Sequence, residues 1–170
     1  FFFKQKTAYE IPKRDWSSDV CSSDLKLHHI PGGIFSHNVK NVIGRKCVVD
    51  IFDIATEIQQ LRDDGIEVSP KNLMLSFDTQ VVLPYHKRMD NLREKIRGAG
   101  KVGTTGRGIG PAYSDFISRI GITLGDIAKN TFKEKLQNEL RIFNAVAREF
   151  SEEEILLQAL EEKISSVQSF

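Results

Sequence analysis

Apolar residues recur along this chain in two rhythms, short β-prone runs and longer stretches at helical spacing. Val42-Ile43 and Cys47-Val48-Val49 are β-prone and separated by Gly44. Asp50 then stands where a helix N-cap belongs. Ile51, Ile54, Ile58 and Leu61 follow at steps of three, four and three, the spacing of one buried helical face. Gly65 is placed to end that helix in the left-handed conformation. Leu73-Met74-Leu75-Ser76-Phe77 reads as a second buried strand, and Tyr85, Met89, Leu92 and Ile96 as the face of a second helix closed by Gly98. Farther on, Thr131 with Glu134 and Ser151 with Glu154 have the spacing of capping boxes. Phe132, Leu136, Leu140, Phe143, Ala147 and Phe150 form one seam, and Leu156, Leu160, Ile164 and Val167 another. Such seams pack on their own chain or serve a subunit interface. Strands alternating with helices predict an α/β fold with a helical C-terminal portion.

Composition narrows the classes. The 170 residues are 40% hydrophobic and 28% charged with a net charge of +1, an ordinary soluble balance. That charge gives no general attraction to nucleic acid or an anionic membrane, so any anion binding must be local. No apolar stretch reaches the ~18 residues of a membrane span. The second helix is rich in cations (His86, Lys87, Arg88, Arg93, Lys95, Arg97), yet no aromatics interleave with them, which favours a solvated face over a strand-binding one. Cys47 is expected as a small buried residue in a strand. His28 and His29 are adjacent while His37 and His86 stand alone, so no zinc site is expected. Residues 1–25 have no helical or strand period and read like a translated sequencing adapter; they are expected to be non-native and disordered, and the domain to begin at residue 26.

The densest chemistry lies in Gly103-Thr104-Thr105-Gly106-Arg107-Gly108-Ile109-Gly110-Pro111-Ala112-Tyr113. Glycines let backbone N–H groups approach a ligand closely, and successive N–H groups make a concavity for an anion. Thr104, Thr105 and Arg107 add donors and charge. The run is neither a Walker A loop nor a G-x-G-x-x-G fingerprint. Its local chemistry is that of an oxyanion site, with a flexible surface turn as the competing reading.

This run, with Val102 ahead of it and Asp115, Arg119, Gly121 and Gly125-Asp126 behind, resembles the adenylosuccinate synthetase family. The likeness extends over roughly residues 26–140, through His28-x-Ile30-Pro31-x-Gly33-Ile34, Ile43-Gly44, Val48-Val49-Asp50, Gly65-Ile66, Leu83-x-Tyr85-His86, Arg93-Glu94-Lys95 and Arg97-Gly98-Ala99. The resemblance implies a P-loop-NTPase-like α/β fold and a cytoplasmic, homodimeric enzyme of AMP synthesis. It would join IMP to L-aspartate with GTP and Mg²⁺, phosphorylating the purine 6-oxygen before the aspartate amine displaces the phosphoryl group. It also implies that Thr105 binds IMP, that Arg119 reaches the IMP site of the partner subunit, and that Arg107 positions the acidic substrate.

Two positions depart from the family pattern. Phe116 stands where it has a lysine, and Thr123 where it has an arginine. The family's catalytic aspartate, catalytic histidine, metal ligands and guanine-recognition elements are expected outside these residues. No catalytic or metal-binding residue is therefore assigned within the chain, and the chain alone is expected to be inactive. Two other readings stay open, a non-catalytic nucleotide- or anion-binding module and a helical interaction piece.

Overall fold

The structure, a computed structural model, describes residues 27–100 and 103–167. The expectations for residues 1–25, and Val102 of the glycine run, lie outside them. After a 3-10 turn at Gly32–Phe35 come β1 (Asn41–Ile43), β2 (Val48–Asp50), α1 (Ile51–Asp63), β3 (Leu73–Leu75), β4 (Gln80–Val82) and α2 (Pro84–Arg97). The remaining elements are helical: α3 (Ile109–Ser118), α4 (Leu124–Ala128), α5 (Lys133–Glu149) and α6 (Leu157–Ser166). β1 pairs with β3 in parallel, Val42 opposite Met74, and β2 pairs with β4, Val49 opposite Val81. Parallel partners need a crossover rather than a hairpin, and α1 lies within the connection of both pairs. The α/β class with a helical C-terminal portion is therefore observed.

Local chemistry explains α1 from end to end. The Asp50 carboxylate accepts from the backbone N–H groups of Phe52 and Asp53 at 2.9 and 3.1 Å. At the other end Gly65 has φ +79°. Its N–H donates to the Arg62 carbonyl, and that of Ile66 to the Leu61 carbonyl at 2.8 Å, the two bonds of a Schellman ending. In α2, Pro84 occupies the first helical position, where its missing N–H costs nothing.

Several expectations are corrected. The strand at Leu73 stops at Leu75, with Met74 and Phe77 exposed; the fully buried strand is β4, three residues that no apolar period announces. Cys47 is exposed, because it closes a turn on the Gly44 carbonyl before β2 begins. Neither expected capping box forms. Asn130 (φ +55°) and Ser151 (φ +55°) are left-handed residues that close α4 and α5. The N–H of Thr131 donates to Asp126 O and that of Glu152 to Ala147 O, both at 2.8 Å, so each pair belongs to the end of the preceding helix.

Two apolar clusters hold these elements. One gathers Ile30, Ile43, Val49, Ile54, Leu61 and Leu73; the other joins Ile51, Val81, Leu83, Tyr85 and Ile122 to the seams of α5 and α6. α1 contributes to both, Ile51 to one and Ile54 with Leu61 to the other. Leu136, Leu140, Phe143, Ala147, Leu160 and Ile164 are buried, whereas Phe150 and Leu156 are exposed. A carboxylate pins the first described segment: Glu57 of α1 accepts from the N–H groups of His28, His29 and Ile30 at 2.9 to 3.2 Å. Among the described residues no helix is long and apolar enough to cross a membrane.

Candidate functional site

The glycine run makes a loop that opens directly into α3. Gly108 is its hinge, left-handed at φ +75° and buried as the N-cap of α3. A Cβ there would sit 2.7 Å from the backbone of His86 and Lys87, so only glycine lets α3 approach α2 this closely. Its N–H donates to Asp90 Oδ2 at 3.1 Å. The N–H of Gly103 donates to Glu94 Oε2 at 3.1 Å, and that of Gly106 to Thr104 Oγ1 at 3.3 Å. Three glycine amides are thus engaged within the protein, two by carboxylates of α2 and one by the loop itself, which refines the expectation that they would cradle a ligand. Thr104, Thr105 and Arg107 are exposed beside the start of α3. There the N–H groups of Ile109 and Gly110 have no intrahelical acceptor, and the helix end carries partial positive charge. This end of α3 can receive an anion.

Arg119 lies at the opposite end of α3. It is left-handed, φ +61°, and caps the helix. The Asp115 carbonyl accepts from the N–H groups of Ile120 and Gly121 at 3.1 and 3.2 Å, closing the turn that carries the arginine. Ten helical residues separate it from the loop, about 15 Å at the usual rise. The structure therefore keeps Thr105 and Arg107 together and holds Arg119 apart from them.

Beneath α3 is a buried polar group whose members occur in the motifs but whose pairing the sequence does not disclose. His86 is fully buried on α2, and its Nδ1 accepts the Leu83 N–H at 2.8 Å. That fixes the ring proton on Nε2, which donates to Asp115 Oδ2 at 2.9 Å. Tyr85 donates to the same oxygen at 3.3 Å. Burial, then the charges of Asp115 and Glu139 and the hydrogen bond to Asp115, push the Tyr85 phenol far above its usual range. Glu139 on α5 is raised as well, by burial first and then by Asp115. The available signal was that His86 and Asp90 stand four apart, on one face of α2.

The basic face of α2 is engaged rather than simply solvated. Lys87 pairs with Asp50 at 2.7 Å and with Asp53 at 3.3 Å. Burial pulls its pKa down, but the bonds and charges of these two carboxylates outweigh that and raise it overall. Arg88 lies over the Phe143 ring, 5.3 Å from its centroid, and donates to the Glu153 carbonyl; Lys95 pairs with Glu152.

The two departures also find places. The Thr123 hydroxyl accepts from the Asp126 N–H at 3.1 Å, and Asp126 Oδ2 accepts from the Thr123 N–H at 2.9 Å, a true capping box on α4. An arginine there would forfeit it. Phe116 is 36% exposed in an apolar patch with Tyr113 (39%), Ile117 (76%) and Ile120 (40%), next to Arg119. Among the described residues no three His, Cys, Asp or Glu side chains converge as a metal site.

Comparison with known proteins agrees with the motifs. Residues 19–170 match the family model described as adenylosuccinate synthetase, a wider span than the motifs alone covered. The chain is 43% identical over 127 residues to the adenylosuccinate synthetase of Clostridium botulinum (strain Alaska E43 / Type E3), covering 74% of this chain and 30% of that protein. It is 41% identical over 138 residues to that of Clostridium kluyveri, covering 81% and 32%. The fully ligated adenylosuccinate synthetase from Plasmodium falciparum superposes with a TM-score of 0.70 at 25% identity, over 84% of this chain and 32% of that one. The chain thus spans about a third of the length of these relatives. With three-quarters of its residues aligned above 40% identity and a family match through both helical seams, this chain belongs to the adenylosuccinate synthetase family.

Proposed function

We propose that this chain supplies the IMP-binding part of a cytoplasmic, homodimeric synthetase that joins IMP to L-aspartate at the expense of GTP, in the synthesis of AMP. Thr105 donates its hydroxyl to the IMP phosphate, assisted by the positive start of α3. Arg107, exposed on the same loop, positions the acidic substrate. Arg119 gives a bidentate-capable guanidinium to the IMP phosphate of the partner subunit. Holding the nucleotide rigidly aligns its purine 6-oxygen for phosphorylation and the following attack by aspartate. Mg²⁺ and GTP enter as the family implies, to neutralise and supply the transferred phosphoryl group.

The observation that carries this reading is the separation of about 15 Å along α3 between the loop and Arg119. One phosphate cannot touch both ends of that helix, but two copies related by a two-fold axis can each supply one end. The exposed patch of Tyr113, Phe116, Ile117 and Ile120 beside Arg119 is suited to cover by the second copy. Subunit mixing tests this at full natural length. Thr105→Ala and Arg119→Ala homodimers are each expected to bind IMP measurably but much more weakly. After mixing, heterodimers regain one intact site, restoring about a quarter of the wild-type sites by random pairing. No recovery would assign both residues to the same subunit's site and overturn the reading.

A further inference from the structure

α2 holds α3 at both ends, through two residues on one of its faces. At the start of α3, Asp90 Oδ2 takes the Gly108 N–H at 3.1 Å, where the loop carrying Thr105 turns into the helix. Near its end, His86 Nε2–H donates to Asp115 Oδ2 at 2.9 Å, seconded by the Tyr85 hydroxyl. The Asp115 backbone carbonyl in turn closes the left-handed turn that presents Arg119. His86 itself is locked by the Leu83 N–H on its other nitrogen, so the ring cannot rotate without losing two bonds. Neither His86 nor Asp90 is exposed, which keeps both from substrate.

We propose that His86 and Asp90 are positioning residues for IMP binding: Asp90 sets the loop that carries Thr105, while His86, acting through Asp115, sets the turn that carries Arg119. This rests on the roles given above to Thr105 and Arg119. A bundle of helices could be held together by apolar contacts alone. Two buried polar anchors four residues apart on α2 instead fix the rotation and the axial position of α3, which apolar contacts specify poorly. Both ends of α3 thereby keep a set spacing, as a dimer needs if its two IMP sites are to be completed in the same register.

The test uses the polypeptide carrying this segment at its full natural length. In His86→Asn the shorter amide still accepts the Leu83 N–H but does not reach Asp115; in His86→Gln the amide nitrogen lies where Nε2 was and restores the donor. Asn is expected to weaken IMP binding about tenfold, the loss of one hydrogen bond to a charged group, and Gln to recover most of it. The effect of His86→Asn is expected to vanish in an Arg119→Ala background, because it acts through that arginine. Asp90→Ala, acting through the loop, is expected to weaken IMP binding in either background.

A merely structural histidine gives the opposite pattern, with Asn equal to Gln and the loss persisting without Arg119, and that result overturns the proposal. Should His86→Asn fail to fold, Tyr85→Phe removes the second donor at constant shape. It is expected to cost about threefold in IMP affinity, again only when Arg119 is present; no loss overturns the proposal. IMP binding that is sensitive to Arg119→Ala but indifferent to His86→Asn overturns the clamp alone. Binding indifferent to Arg119→Ala overturns the underlying assignment as well.

Discussion

Gly108 is where a single hydrogen atom in place of a side chain decides the site. Its φ of +75° disfavours any L side chain, and an added Cβ would meet the α2 backbone at 2.7 Å rather than a movable side chain. Gly108→Ala is expected to destabilise by at least ~2 kcal/mol in urea unfolding, the left-handed penalty plus the clash. Gly110, two residues on, has open space around it inside the helix, so Gly110→Ala is expected to be neutral or to stabilise by up to ~1 kcal/mol. The glycine run was legible as a unit in the sequence, but which glycine was structural was not. That depends on the approach of a helix two dozen residues earlier, and no local spacing encodes it. Glu139 gives a second prediction at this scale. Its folded pKa is raised, so the folded state favours the protonated acid, and ionisation destabilises as pH rises through the ordinary carboxylate range. Glu139→Gln is expected to raise the melting temperature at neutral pH, and the gain is expected to disappear below about pH 4.

At the level of elements, legibility followed agreement among independent signals. α1 could be read because its cap at Asp50, its apolar period and its terminating Gly65 all point to the same boundaries. β4 was missed because three residues are too few to show a period, and its burial comes from β2, Ile122 and the bridge at Thr123 rather than from its own pattern. Thr131 and Ser151 were misread because serine and threonine serve both kinds of helix boundary. Their spacing to Glu134 and Glu154 suggested starts, while the left-handed backbone at Asn130 and Ser151 makes endings. The two interpretations of Ser151 differ in sign. If it only closes α5, Ser151→Gly relieves a left-handed side chain and stabilises by about 1 kcal/mol. As an N-cap the same change would cost a few tenths of a kcal/mol. A rise in thermal stability is expected.

Across the whole molecule, the exposed patch on α3 and the position of Arg119 point outward together. Ile117 is the most exposed large apolar residue of that patch, at 76%. If the proposed dimer forms through this patch, Ile117→Asp shifts the sedimentation behaviour of the protein from dimer toward monomer. On the proposed assignment of Arg119 to the partner's site, IMP affinity is expected to fall in parallel. Changing Ile142 to Asp, on the outer face of α5 and also exposed, is expected to do neither. The family resemblance already implied that Thr105 and Arg119 serve different subunits, but the distance between them could not be read from the sequence. That distance is set by α3, whose ten residues stand between the loop and Arg119.

α1 carries a further consequence. Because its first residue belongs to one apolar cluster and its later residues to the other, neither cluster can come apart while α1 stays fully packed. Heat or denaturant that loosens the β1–β3 side also withdraws support from the layer beneath α3. Damage far from the loop, at Leu61 for instance, would therefore reach the glycine loop by melting its foundation and leave the loop's own residues untouched.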